Sequence, residues 1–284
     1  MTAKSILRLH NPQRSRMRGS IRFEGRELLT LSNREIEKLR GSAISMIFQD
    51  PMTSLNPLMT IGDQIADMYR FHAGASKAEA RDKAQEMLSK VGIEPASKRC
   101  RQYPFELSGG MQQRVMIAMA LSCEPSLLIA DEPTTALDVT IQEQILDLIA
   151  QLNEKLGMSV LFITHDLSAM AQLCHSVRVM YLGQIVEEAE TSALFARPMH
   201  PYTQGLLACI PRLDFPRGEP LHVIEGTVPP LSRIPAGCHF CTRCPHATDR
   251  CRTQAPPTVE AEPGHFVQCW NFVSPETPGQ EVEA

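Results

Sequence analysis

Apolar residues along this chain recur at two spacings. Ala43–Phe48, Ser126–Ala130 and Met158–Thr164 are short, nearly continuous apolar runs bounded by turn residues. That is the pattern of strands in a parallel sheet covered on both faces. Between the last two, Ile141, Ile145, Leu146, Ile149 and Leu152 return at helical spacing, with Asp138 placed to cap the helix. From Thr60 to about Ala120 the pattern is helical, and it includes Lys77–Val91, which stops at Gly92. Residues 19–24 alternate and predict a strand closed by Gly25, while Asn33 is the expected cap of a short helix Arg34–Arg40 that Gly41 ends. Val177–Tyr181 and Gln184–Glu187 flank Leu182-Gly183, which reads as a hairpin. The strand–helix–strand alternation predicts an α/β fold on a doubly wound sheet. After about Arg197 prolines become frequent and periodicity fades, so the expected division is a first domain over 1–196 and a second over 197–284.

Composition adds limits. The 284 residues can bury one sizeable core with an appended module, and 43% hydrophobic with 21% charged residues is ordinary for a globular protein. A formal charge of −4 argues against a nucleic-acid-binding surface, which usually carries a basic excess. Residues 1–40 nevertheless hold ten Lys/Arg against four Glu, either a solvated face or one lying near an anionic membrane. The last ten residues hold three Glu and no base. No apolar run approaches the roughly 20 residues of a membrane-spanning helix, and Met1–His10 lacks the apolar core of a signal peptide. A cytoplasmic location is the expectation. Of nine cysteines, Cys100, Cys123, Cys174 and Cys209 are scattered and read as small buried hydrophobes, and five crowd into the last fifty residues.

Chemistry concentrates at three strand ends and one helix start. Leu107-Ser108-Gly109-Gly110-Met111-Gln112-Gln113-Arg114 leads into a helical run, with Ser108 at the cap. Free backbone N–H groups and the helix dipole would favour an anion there, and paired glycines let it approach closely. A glycine turn before an ordinary helix is the plain alternative. Leu127–Ala130 runs into Asp131-Glu132-Pro133, which puts two carboxylates at the carboxyl edge of a parallel sheet, where ligands bind. Asp131 suits Mg²⁺, and Glu132 suits a general base that polarises water. His165 and Gln49 end two other apolar runs.

Together these segments resemble the nucleotide-binding subunits of ABC transporters, most of all those of oligopeptide and dipeptide importers. The octapeptide is similar to the signature motif. Asp131-Glu132 resembles the Walker B acids, Thr134-Thr135-Ala136-Leu137-Asp138 the D-loop, Gln49 the Q-loop glutamine and His165 the switch histidine. The resemblance implies a P-loop NTPase-like core with a helical subdomain at about 58–122, and ATP and Mg²⁺ as cofactors. Glu132, His165 and Gln49 would then be catalytic, Asp131 would hold the metal, and Ser108, Gly109, Gly110, Gln112 and Asp138 would bind nucleotide, the signature acting on ATP held by a second ATPase subunit. It further implies two transmembrane permease subunits, a solute-binding protein, a peripheral position on the inner membrane's cytoplasmic face, and peptides or related small solutes as cargo. A soluble ABC-type ATPase outside transport is the remaining alternative within the family.

The chain departs from the family in one respect. A phosphate-binding loop needs Gly-x-x-x-x-Gly-Lys-Ser/Thr after a strand, and the sequence contains none; Lys4-Ser5 has no glycines before it. Thr2–Leu9 resembles the helix that follows that loop. Two readings stand: a start misassigned or truncated within the family's first elements, or a subunit that only lends its signature to a partner's ATP.

Cys238, Cys244, Cys251 and Cys269, with Cys241 as a fifth thiol, read as a metal site in a segment of little periodicity. Tetrahedral sulfur suits zinc or an iron–sulfur cluster, and reduced packing cysteines are the third reading. The wide spacing resembles the importer ATPases' C-terminal extension, which implies a [4Fe–4S] cluster on those four cysteines; Cys241 and His239 are competing donors. His200-Pro201-Tyr202-Thr203 before an apolar helix Gln204–Ile210 resembles the same extension.

Overall fold

A computed structural model describes residues 1–135, 137–210 and 222–273. Ala136 of the D-loop and the acidic last ten residues therefore lie outside the described residues. The chain divides into two compact units, Met1–His165 and Asp166 onward.

The first unit opens with helix α1 (Thr2–Ile6), the two-residue strands β1 (Arg22–Phe23) and β2 (Arg26–Glu27), and α2 (Asn33–Leu39). The alternation at 19–24 thus yields only a tiny hairpin, turned by Glu24 and Gly25 at φ 48° and 77°. The cap of α2 is Ser32 and not Asn33. Its hydroxyl accepts from the Glu35 N–H, and the Glu35 carboxylate accepts from the Ser32 N–H, so two orphan donors are satisfied reciprocally. Strand β3 (Ile44–Ile47) is buried at every position. A helical stretch follows: α3 (Pro51–Ser54), α4 (Ile61–His72), α5 (Lys77–Lys90), α6 (Ala96–Arg99) and α7 (Gly109–Leu121). Thr60, Ser76 and Ser108 cap α4, α5 and α7.

Strand β4 (Leu127–Asp131), helix α8 (Val139–Leu156) capped by Asp138, and strand β5 (Ser159–Ile163) complete the unit. β3, β4 and β5 form one parallel sheet in that order, with Ile47 beside Ala130 and Asp131 beside Ile163. One face packs a cluster of Ala3, Leu7, Leu28, Ile36, Ile44 and Ile129. β5 departs from expectation. Its apolar residues are half-exposed, because among the described residues it pairs only with β4.

The second unit begins with α9 (Leu167–Leu173), then the hairpin β6 (Ser176–Tyr181) and β7 (Gln184–Glu190), whose turn places Leu182 and Gly183 at φ 45° and 81°. α10 (Thr191–Ala196), α11 (Pro201–Ala208), α12 (Asp249–Thr253), β8 (Val259–Glu262) and β9 (His265–Val267) follow. The sheet order is β6-β7-β9-β8, antiparallel throughout. This pairing places the division after His165, ahead of the composition shift near Arg197: β7 is bonded to the C-terminal β9. The seam is tied by Glu187, whose buried carboxylate accepts from the Met199 and His200 N–H groups at 2.6 and 3.0 Å and meets His265 Nε2 at 2.8 Å. Phe240, 1% exposed, packs its ring against both Tyr181 and Tyr202, a burial contributing about 1.5–3 kcal/mol.

Candidate functional site

Three neighbouring parallel strands end at one edge, and each delivers a polar side chain just beyond it. Gln49 follows β3, Glu132 follows β4 and His165 follows β5. Glu132 has φ 50°, a left-handed conformation rare for a residue with a Cβ. Its N–H donates to the Ile163 carbonyl at 2.8 Å, so the sheet holds the turn that aims the carboxylate. Such strain persists where surrounding bonds enforce it.

Three side chains, from Gln49, Thr135 and His165, converge on that carboxylate. Gln49 Nε2 donates to Glu132 Oε2 at 2.7 Å, and Thr135 Oγ1 donates to the same oxygen at 2.9 Å. His165 Nδ1 lies 3.4 Å from Glu132 Oε1, with the imidazole 75% exposed. A contact so open to water contributes little stability, so it matters for position. Asp131, half-buried, ends β4 beside it. Two carboxylates, a hydroxyl and a carboxamide at a sheet edge suit a hard cation and a polarised water.

The signature segment is arranged differently. The Ser108 hydroxyl accepts from the Met111 N–H at 3.4 Å and so caps α7. Gly109 leaves open space at its α-carbon, whereas a Cβ on Gly110 would lie 2.8 Å from Ile141 Cγ2. That close approach of α7 and α8 explains the second glycine. Gln112, expected to face nucleotide, is turned inward. It is 6% exposed, and its Nε2 donates to the Pro104 and Leu107 carbonyls. Asp138 accepts from the Ile141 N–H at 3.0 Å. Sequence reasoning gave no separate role to Gln113 or Thr135. Gln113 is buried and donates to the Pro133 carbonyl at 2.6 Å, tying α7 to the loop behind Glu132. No sequence pattern separates it from Gln112; only the direction of its side chain does.

In the second unit the five clustered thiols gather. Cys238, Cys241, Cys244, Cys251 and Cys269 line one small cavity of about 20 Å³ with His200, His246 and Phe240. Burial pushes the Cys238 thiol up to about 11 and raises Cys244, Cys269 and Cys241 as well, so these groups are protonated thiols near neutrality. Among the described residues no three His, Cys, Asp or Glu side chains are already disposed as a metal-holding group. The donor chemistry fits a soft metal, and binding would have to displace protons and draw the sulfurs together.

Comparison with known proteins decides the family. Residues 1–135 match the ABC transporter family, and residues 186–251 match the oligopeptide/dipeptide transporter C-terminal region. A probable peptide ABC transporter ATP-binding protein, y4tR, of Sinorhizobium fredii is 52% identical over 95% of this chain and 81% of its own length. The chain belongs to the oligopeptide/dipeptide ABC transporter ATP-binding family. The oligopeptide transport ATP-binding protein OppD of Escherichia coli is 50% identical over 91% of this chain and 76% of its own. AppD of Bacillus subtilis is 49% identical over 90% and 78%. Among solved structures, the ATP-binding cassette MJ0796 in a dimeric post-hydrolysis state bound to ADP and Pi superposes with a TM-score of 0.59. It is 31% identical and covers 67% of this chain and 79% of that one. No helix among the described residues is long and apolar enough to cross a membrane.

Proposed function

We propose that the chain is the ATP-binding and ATP-hydrolysing subunit that powers a membrane importer of oligopeptides, dipeptides or related small solutes. The observation that carries this reading is the convergence of Gln49, Thr135 and His165 on the Glu132 carboxylate. Glu132 takes the role of general base. His165 and Gln49 orient the attacking water and the γ-phosphate, and Asp131 holds Mg²⁺. Bound Mg²⁺ supplies charge neutralisation at the phosphates. Ser108, Gly109 and Gly110 complete a partner subunit's site, with Asp138 at the same face; Gln112 serves by holding the signature turn from within.

The partners are a second ATPase subunit and two permease subunits, with a solute-binding protein outside, which places the chain peripherally at the membrane's cytoplasmic face. A cavity of about 280 Å³ in the first unit, lined by Leu9, Phe48, Leu55, Met68, Met116 and Met119, suits an apolar segment of a permease. The cysteine cavity takes a metal centre, a [4Fe–4S] cluster on Cys238, Cys244, Cys251 and Cys269, with zinc as the competing occupant.

One substitution tests the reading. In the assembled transporter, Glu132→Gln lowers ATP turnover by about 10²- to 10⁴-fold if this chain hydrolyses ATP. Unchanged turnover assigns it the signature-donating role.

A further inference from the structure

Three consecutive residues of α7 send their side chains to three different anchors. Gln112 holds the turn before the helix through the Pro104 and Leu107 carbonyls. Arg114 Nη1 donates at 2.8 Å to the carbonyl of Val91, just past α5, and its Nη2 donates at 3.0 Å to Gln144 Oε1 on α8. Gln113 stands between them, 1% exposed, and its Nε2 donates to the Pro133 carbonyl at 2.6 Å. The close approach of Gly110 to Ile141 packs α7 against α8 as well. A helix pinned on so many sides is a fixed frame, and Gln113 extends that frame to the loop carrying Glu132.

Pro133 directly follows Glu132 and is buried. Glu132 sits at φ 50°, a conformation that its surroundings must enforce. The sheet supplies one tie, the Glu132 N–H on the Ile163 carbonyl at 2.8 Å. Gln113 supplies another, on the carbonyl one residue further along. The Thr135 N–H closes the turn on the Glu132 carbonyl at 3.2 Å, and the Thr135 hydroxyl reaches Glu132 Oε2. A carboxamide buried as deeply as that of Gln113 is tolerable only with its hydrogen bond made. Without that donor the Pro133 peptide is freer to rotate, and the Glu132 carboxylate moves with it. A displacement of about 1 Å at a reacting group can cost about 10²-fold in rate.

We infer that Gln113 is a positioning residue for hydrolysis: through the Pro133 carbonyl it fixes the turn that aims Glu132, and it ties that aim to the helix opening with the signature. The inference rests on Glu132 as general base, the reading given above, and deepens it by naming what holds the base in place.

The test is a double-substitution cycle in the assembled transporter. Gln113→Met keeps the side-chain volume and removes the donor. It is expected to lower kcat for ATP by about 10- to 10²-fold and to change KM less than about threefold. In a Glu132→Gln background the same change should lower the residual turnover less than about twofold, because a group acting through that carboxylate has nothing left to aim. Gln113→Asn keeps the carboxamide but is one methylene short of the carbonyl; it should repeat both results, and it carries the comparison if the Met chain fails to assemble. Turnover within about twofold of wild type overturns the inference. An equal loss in both backgrounds overturns it too, since a merely structural residue would behave that way; in both cases Glu132 keeps its role. A Glu132→Gln transporter with wild-type turnover overturns the general-base reading and this inference with it.

Discussion

At the scale of single residues, the chemistry depends on a few positions where the backbone accepts an unfavourable or crowded conformation. Glu132 is one, turned to φ 50° and held by the Ile163 carbonyl. Gly237 is another. A Cβ there would lie 2.3 Å from the Cys251 carbonyl oxygen and 2.9 Å from backbone atoms of Arg252 and Gln254. Backbone cannot swing away as a side-chain tip can, so Gly237→Ala must push α12 outward. The expected cost is about 1–3 kcal/mol from overpacking, with loss of the Cys238–Cys251 backbone bond. Trp270, the one tryptophan of the chain, sits in this unit with the Arg250 guanidinium 3.4 Å over its ring. Its fluorescence should report a lower urea midpoint for Gly237→Ala. An unchanged midpoint would mean the turn relaxes without strain.

At the scale of elements, caps and cross-strand ties decide how the second unit responds to pH. His200 begins α11, and its Nδ1 accepts from the Tyr202 N–H at 3.0 Å, which requires a neutral ring. Burial lowers its pKa from 6.5 to about 4, against a smaller upward pull from Glu187. The unfolded chain takes up this proton near the ordinary histidine value and the folded chain only near 4. The stabilisation is therefore complete above about pH 6.5 and is lost as pH falls towards about 4, amounting to roughly 3 kcal/mol at the acid end. Acid titration of Trp270 fluorescence in urea should show that slope. His200→Asn keeps a capping oxygen without a titrating group, and it should flatten the slope between those pH values; an equal slope in the variant would remove His200 as its source. The caps were largely readable in the sequence, because Ser, Thr and Asp before an apolar-periodic run have one strong local use. Ser32 and not Asn33 is the cap of α2 because Glu35, three residues on, returns its carboxylate to the Ser32 N–H, a pairing that Asn33 lacks.

At the scale of the whole molecule, the proposed work is done between subunits. Ser108 caps α7 and, by the proposed role, presents the signature to ATP on a partner. Ser108→Arg would remove that cap, at a cost of about 0.5–2 kcal/mol, and fill the anion's place with a long side chain. Expected is a loss of ATP turnover by the assembled complex of about 10²-fold or more, with ATP binding by the partner alone unchanged. Turnover that survives would remove the signature face from the mechanism.

The sequence by itself determined a good deal of this protein. Three short apolar runs became β3, β4 and β5, and the spacing of Ile141 to Leu152 became α8, because burial on one or two faces is written directly in hydrophobic period. The polar residues closing those runs were legible as a site for the same reason, since parallel strands end at a common edge. Tertiary structure alone decided what depends on direction and on distant partners. It turned Gln112 inward, gave Gln113 and Thr135 their bonds around the Glu132 loop, and joined β7 to β9 through Glu187, His265 and the Met199 and His200 N–H groups. It also put Cys241 in the same cavity as four thiols spread over more than thirty residues, Cys238 to Cys269. Local patterns record which face a residue must bury. They do not record which remote group it will meet there, because that depends on how the chain closes on itself.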